Sequence, residues 1–299
     1  MAGRKGKRGS RNRKRNLRRF VLPAFLLAII LFFLFMYVQA RTVTVRYASA
    51  VIPDLPASFD GLKLLHITDI DMMGTNDLSS QRRLFRKLGS IHPDIVLLGG
   101  NYTSVSFLQK LLGRADTTGH EDRPALFGYI ADLSPSIGCY AISGDNDGPT
   151  DLLSEQLREK GIRYIEGELL PVSRNGEVIY LAGIDPEQRV LTLAESSVKS
   201  GDCVIGLMHA PSRYAESFIR ESMDGGFWAD LLLAGHTLGG QIMIGARSVF
   251  TLGEFDKRYL KGWTNETVPF LVSQGLGCLG VNLRFHSTPE VWVIELHSN

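Results

Sequence analysis

The chain is poor in cysteine. Only Cys139, Cys203 and Cys278 occur in 299 residues, far apart and each inside an apolar run. An odd count without close spacing argues against a disulfide framework or a zinc cluster and casts the thiols as small buried hydrophobes. Internal repeats are lacking, as are low-complexity segments beyond the first residues, so nothing points to a repeat array. Acid is lacking where base is densest: residues 1–19 hold ten Lys or Arg and no Asp or Glu. The other 280 residues carry 23 basic against 31 acidic groups, a balance of −8 behind the formal +2 of the whole. The main body therefore lacks the charge of a nucleic-acid binder, and no nucleic-acid partner is expected.

Charge is lacking altogether from the next stretch, FVLPAFLLAIILFFLFMYV, residues 20–38. It is long enough to span a bilayer as a helix and has no polar face that would suit a core helix. The basic tail predicts a cytoplasmic N-terminus and an extracytoplasmic body, hence a single-pass protein of the cell membrane. Val38-Gln39-Ala40 has the look of a small-residue cleavage site, but the apolar stretch is long for a signal-peptide core, which favours an uncleaved anchor. The expected organisation is a basic tail (1–19), a transmembrane helix (20–38), a linker with a first strand (39–60) and one domain (61–299).

At 21% charged and 44% hydrophobic residues, the body reads as an ordinary globular domain. Strands are expected over 62–68, 94–99 and 138–143, with helices near 80–90 and 152–161 and two helices around a polar loop in 104–133. That half is a βαβαβα pattern, which calls for a parallel sheet. The second half is richer in strands: 162–166, 177–184, 203–208, 230–234, 241–243, 248–252, 269–273 and 290–297, with helices near 188–199 and 212–222. Two sheets with outer helices would house the whole.

Polar residues fall just after successive strands: Asp69 and Asp71, Asn101, Asp145 with Asn146 and Asp147, His209, and His236. Strand ends on one side of a sheet are where α/β proteins place their chemistry. Asp69-Ile70-Asp71 alone fits an aspartyl-phosphate phosphatase, with a nucleophile followed by an acid–base. That chemistry needs a Lys after an intervening strand and leaves His209 and His236 idle, so bound metal is the better reading.

Five segments carry a family likeness: HPDIVLLGGN (92–101), ISGDNDG (142–148), LMHAP (207–211), GHTLGGQI (235–242) and PEVWVIEL (289–296). In order and spacing they resemble the calcineurin-like metallophosphoesterases, most of all a membrane-anchored bacterial branch, over about residues 58–297. The resemblance implies an α/β fold, a four-layer αββα sandwich, with a two-metal centre at the strand ends. It also exposes departures. Where the family has a His, this chain has Asp71; where it has a bridging Asp, Asn101; where it has an Asn ligand, Asp145. The family's proton-donating His is Asn146, and its last His ligand is Leu238. Asp69, His209 and His236 match.

Two nearby cations repel, and a neutral Asn101 offsets that poorly. The metal candidates are Asp69 and Asp71 at one position, and Asp145, His209 and His236 with Asn101 at the other. The second set suits Zn, Mn or Fe, so a single divalent ion per chain, or none, is expected. Asn146 can hydrogen-bond a phosphate oxygen but cannot protonate a leaving group, which leaves Asp147 or Asp71 as a substitute acid. Two functions follow. One is a membrane-anchored hydrolase of a phosphate ester or pyrophosphate, acting on a lipid or cell-envelope substrate. The other is an inactive pseudo-phosphoesterase serving as a binding module. Arg284 reads as a solvated surface residue, and His66 as core packing.

Overall fold

A computed structural model describes residues 6–107, 111–112, 119–185, 197–213, 222–245, 247–249, 257–264 and 267–299. The chain opens with a long helix, α1 (Gly6–Arg41). Its segment Phe20–Arg41 is long and apolar enough to cross a membrane, with a mean hydropathy of 2.8 and almost no contact with the rest of the protein. Only its last turns meet the body.

The body holds two six-stranded sheets. The first runs in the order β1 (Thr44–Val51), β14 (Glu290–His297), β2 (Lys63–Ile67), β3 (Ile95–Leu98), β4 (Gly138–Ala141) and β5 (Arg163–Tyr164). The second runs β12 (Gly262–Thr264), β13 (Phe270–Val272), β9 (Leu231–Ala234), β8 (Val204–Met208), β7 (Glu177–Ile184) and β6 (Leu169–Arg174). Strands β2 to β5 are parallel, as the alternation of strands and helices requires. The first strand joins the sheet through a parallel pairing with β14 along its whole length.

Period-two alternation sorts the side chains into layers. Leu64, Ile95, Leu97, Trp292 and Ile294 point between the sheets and meet Leu181, Ile205, Leu207, Leu233 and Leu271. Leu65, Ile67, Val96, Leu98, Val291 and Val293 point the other way, under α2 (Leu78–Leu88), α3 (Arg123–Ala131) and α4 (Thr150–Arg158). The second sheet buries an outer face of its own, with Ile184, Val204, Met208 and Phe270 packed beside Val198 and Trp228. The fold is thus the expected mixed α/β sandwich. The helices anticipated near 188–199 and 212–222 fall largely outside the described residues, as does the first half of the 104–133 segment.

The strand expectations on described residues hold to within a few residues, with two additions; most of the expected strand 248–252 lies outside the described residues. Strand β6 contains Pro171, which interrupts its sequence pattern, but β6 lies at a sheet edge, where a missing N–H is tolerated. Strand β12 is three residues long and pairs antiparallel with β13. His66 is fully buried in β2 with Nε2 3.3 Å from the Ala234 carbonyl of the opposite sheet, a packing role. All three cysteines are free and buried.

Candidate metal centre

The polar strand ends converge where the two sheets meet. Asp69 and Asp71 follow β2, Asn101 follows β3, Asp145 to Asp147 follow β4, His209 follows β8, and His236 follows β9. Asp69, Asp71, Asn101 and His236 all have positive φ, between 43° and 68°, a left-handed backbone that is costly for side-chain-bearing residues and clusters at functional sites. Glycines make the convergence possible. A Cβ on Gly235 would lie 2.1 Å from Thr68 Oγ1 and 2.4 Å from Asp69 Oδ2, so only glycine lets the His236 turn settle on Asp69.

Asp69 is fully buried and fully engaged. Its Oδ2 accepts from the Thr68 hydroxyl at 2.8 Å and the His236 N–H at 2.7 Å, and its Oδ1 accepts from Asn101 Nδ2 at 3.1 Å. The Asn101 oxygen in turn accepts from the Asn146 N–H at 3.0 Å, which fixes which way the amide points. Asn101 is therefore tied to Asp69 and to the Asn146 turn. The amide supplies Asp69 with the positive partner that a second cation would otherwise provide.

Asp71 is also buried, and its Oδ1 has no hydrogen-bond partner among the described residues. Burial, reinforced by the Asp69 charge, pushes its carboxyl well above the usual range. Leu238, at the position of the missing His, is buried and offers no ligand. These observations do not describe a well-formed first metal position.

The second position is different. One ligand atom each from Asp145, His209 and His236 lies within 4.8 Å of the others, the three-residue metal-ligand cluster found among the described residues. Asp145 Oδ2 is 2.9 Å from His236 Nδ1 and 3.6 Å from His209 Nε2, and the two nitrogens are 3.3 Å apart. Ligands at about 2.0–2.1 Å around a tetrahedral ion stand about 3.3 Å from one another, so the donor set fits a divalent ion. His209 Nδ1 lies 2.7 Å from the Gly99 carbonyl, to which it donates, so Nε2 is the nitrogen that faces the cluster and would bind an ion once its proton is lost. Asp145 sits exposed at the mouth, and hydrogen bonds from His209 and His236 hold its carboxyl far below the usual range.

Asp147 is placed differently from a working acid. It is buried, and its carboxylate accepts from the N–H groups of Asn101, Tyr102 and Gly144 at 2.7–2.9 Å and from Arg123, itself buried, at 3.3 Å. Those four donors leave it bracing the turn that presents Asp145 and Asn146. Asn146 is exposed beside Asp145.

Two residues carry more than their sequence signal. Arg284, expected at the surface, is completely buried, a correction with a clear cause. Its guanidinium donates to the carbonyls of Leu238, Gln274, Gly275 and Gly277, which satisfy it without a carboxylate and bind the His236 turn to the loop before β14. His120 packs against the Asn146–Gly148 turn with Nε2 buried and unpartnered among the described residues. Only its place in a polar insert distinguished it in the sequence.

No family model matches the chain. Among curated proteins it is 27% identical over 283 residues to the uncharacterized metallophosphoesterase YkoQ of Bacillus subtilis, covering 89% of this chain and 96% of that one. It is 26% identical over 258 residues to the "Transmembrane protein with metallophosphoesterase domain" of Danio rerio, 81% of this chain and 54% of that one. The chain is thus similar to proteins named metallophosphoesterases. It spans about half the length of the zebrafish relative and nearly all of YkoQ. Among solved structures, the calcineurin-like phosphoesterase YfkN of Bacillus subtilis aligns at 15% identity and a TM-score of 0.35, over 72% of this chain and 81% of that one.

Two measurements probe this centre. Burial opposes charge on His209, but the hydrogen bond to Asp145 and the Asp69 and Asp145 charges outweigh it and push the imidazole up to about 9. The metal-free imidazole is thus protonated below that pH, and an arriving ion must displace the proton. Apparent Zn affinity, measured by calorimetry against a competing chelator, should rise about tenfold per pH unit between pH 6 and 8; a flat profile contradicts the assignment. Asp147→Ala should cost about 3–5 kcal/mol in urea unfolding, since it strands the buried Arg123 charge. A variant of wild-type stability would show that Asp147 is not the brace described.

Proposed function

We propose that the protein is a membrane-anchored phosphoric ester hydrolase working with one divalent ion, held by Asp145, His209 and His236. The observation carrying this reading is the spacing of those three donor atoms, together with the tautomer that the Gly99 carbonyl imposes on His209. Two imidazoles and a carboxylate suit Zn, Mn or Fe. When bound, such an ion acts as a Lewis acid toward phosphoryl oxygens and lowers the pKa of water. The chain's own part is to hold those ligands, to offer the exposed Asn146 amide to a phosphoryl oxygen, and to keep Asp69 compensated by Asn101 and Thr68. The domain is taken as residues 61–299, with the strand in 39–60 added to its sheet. The tail of ten basic residues supports a cytoplasmic N-terminus and an extracytoplasmic site. The substrate is then a phosphate ester or pyrophosphate of a lipid or envelope precursor.

A second reading, a pseudo-phosphoesterase that binds without turnover, draws on one specific feature. The Asn101 amide occupies Asp69 by hydrogen bonding, and no proton donor stands at 146.

Metal analysis of the purified protein and hydrolysis of bis-p-nitrophenyl phosphate with Zn, Mn or Mg separate the two. The hydrolase reading expects about one ion per chain and turnover abolished by His209→Ala and by His236→Ala. Bound ion without turnover favours the second reading, and no ion at all defeats the site assignment. An active enzyme should also prefer good leaving groups. Asn146→His should then raise turnover of alkyl esters by about 10²-fold, the lower end of what general acid catalysis supplies. An unchanged ratio of alkyl to p-nitrophenyl rates would mean the missing proton donor is not at 146.

A further inference from the structure

The membrane helix does not simply tether the body; it touches it well below its own end. Phe285 packs edge-on against Phe32 and Phe35 of α1, with ring centroids 5.1 and 6.3 Å apart, and the Arg284 N–H donates to the Met36 carbonyl at 3.2 Å. At about 1.5 Å per residue, Phe32 lies about 9 Å inside the apolar stretch that ends at Val38. Tyr37 and Arg41 mark the upper boundary in the manner of interfacial anchors, Arg41 donating to the Tyr37 hydroxyl and to the Thr75 carbonyl. If α1 spans a bilayer, a body residue touching Phe32 is at acyl-chain depth.

Segments bonded to Phe285 and to the loop before it carry exposed apolar side chains. The Phe285 carbonyl accepts from Met243 N–H, joining it to the hairpin of β10 (Met243–Ile244) and β11 (Arg247–Ser248). On that hairpin Ile244 is 65% and Val249 59% exposed. Phe107, 62% exposed, donates its N–H to the Gly280 carbonyl, five residues before Phe285. Lys261 donates to the His286 carbonyl next to Phe285, a cation that could meet anionic headgroups.

We infer that Phe285, Ile244, Val249 and Phe107 form a second membrane contact, a patch seated in the lipid surface beside α1. This rests on the reading of α1 as a membrane span, and it sharpens the proposed substrate to an ester met at the bilayer surface. The occupant is lipid because the patch is continuous with the apolar helix at a depth that the helix itself sets. An insertion of about 5–10 Å is what interfacial apolar residues achieve.

The test uses the full chain reconstituted in phospholipid nanodiscs. Single cysteines at Phe107→Cys, Ile244→Cys and Val249→Cys would carry a nitroxide, the native thiols being buried. Collisions with oxygen and with a water-soluble nickel chelate report depth. Leu152→Cys on α4 is the aqueous reference and Ile29→Cys on α1 the lipid reference. The three patch sites should give oxygen-to-nickel ratios several-fold above Leu152 and approaching Ile29. Patch sites matching Leu152 while Ile29 is lipid-buried would overturn the inference and leave the anchor standing. A water-exposed Ile29 would overturn both.

Discussion

Everything at this site hangs on the compensation of one buried carboxylate, Asp69. It ends β2, accepts from Asn101 beyond β3, and accepts from the His236 backbone beyond β9. Those two bonds tie β2 to its neighbour and to the second sheet at their carboxyl ends, because β2 and β3 belong to one sheet and β9 to the other. An uncompensated charge there would cost several kcal/mol, so the surrounding chain is shaped to bring donors to it. The left-handed residues at 69, 71, 101 and 236 are the conformational expense of that convergence, of order 1–3 kcal/mol each. Backbone bonds such as Asp69 N–H to the Gly100 carbonyl and Asp71 N–H to the Asn101 carbonyl hold them in place.

The departures from the family pattern then become a coherent set. A carboxylate at 101 would face Asp69 and call for a cation between them, whereas an amide satisfies Asp69 by itself. With that bond made, a His at 238 has less to coordinate, and Leu238 is buried there instead. The carboxylate at 145 works the opposite way. It lies at the mouth, 2.9 Å from His236 Nδ1 and 3.6 Å from His209 Nε2. On the proposed one-ion reading, hydrogen bonds to Asp69 stand where one metal position would be, and Asp145, His209 and His236 form the other.

Much of this was legible in the sequence, and the reasons are physical. The strands of the first half announce themselves because Leu64 to Ile67 and Ile95 to Leu98 are buried on both faces, which leaves apolar runs interrupted only by His66. The site residues are legible because they follow those runs directly. Less legible were β6, broken by Pro171, and β12, too short to show a period. The role of Asp147 was opaque, since a carboxylate beside an active turn reads alike whether it faces substrate or three backbone amides. Arg284 misled for a similar reason. A long cation is normally solvated, and only the fold reveals four carbonyls turned inward to receive it.

Arg284 also bears on how the anchor and the centre are related. Its side chain holds the Leu238 carbonyl, two residues past His236, and its own N–H reaches Met36 of α1. One residue therefore contacts both α1 and the turn that carries His236. A flexible tether after α1 would let the body tumble above the bilayer. This arrangement instead fixes the height of the strand ends relative to the helix, through bonds that are buried and so not exchanged with water. Under the proposed membrane-anchored reading, a centre positioned in that way would suit an ester whose phosphorus stays at a constant depth, as in a membrane amphiphile.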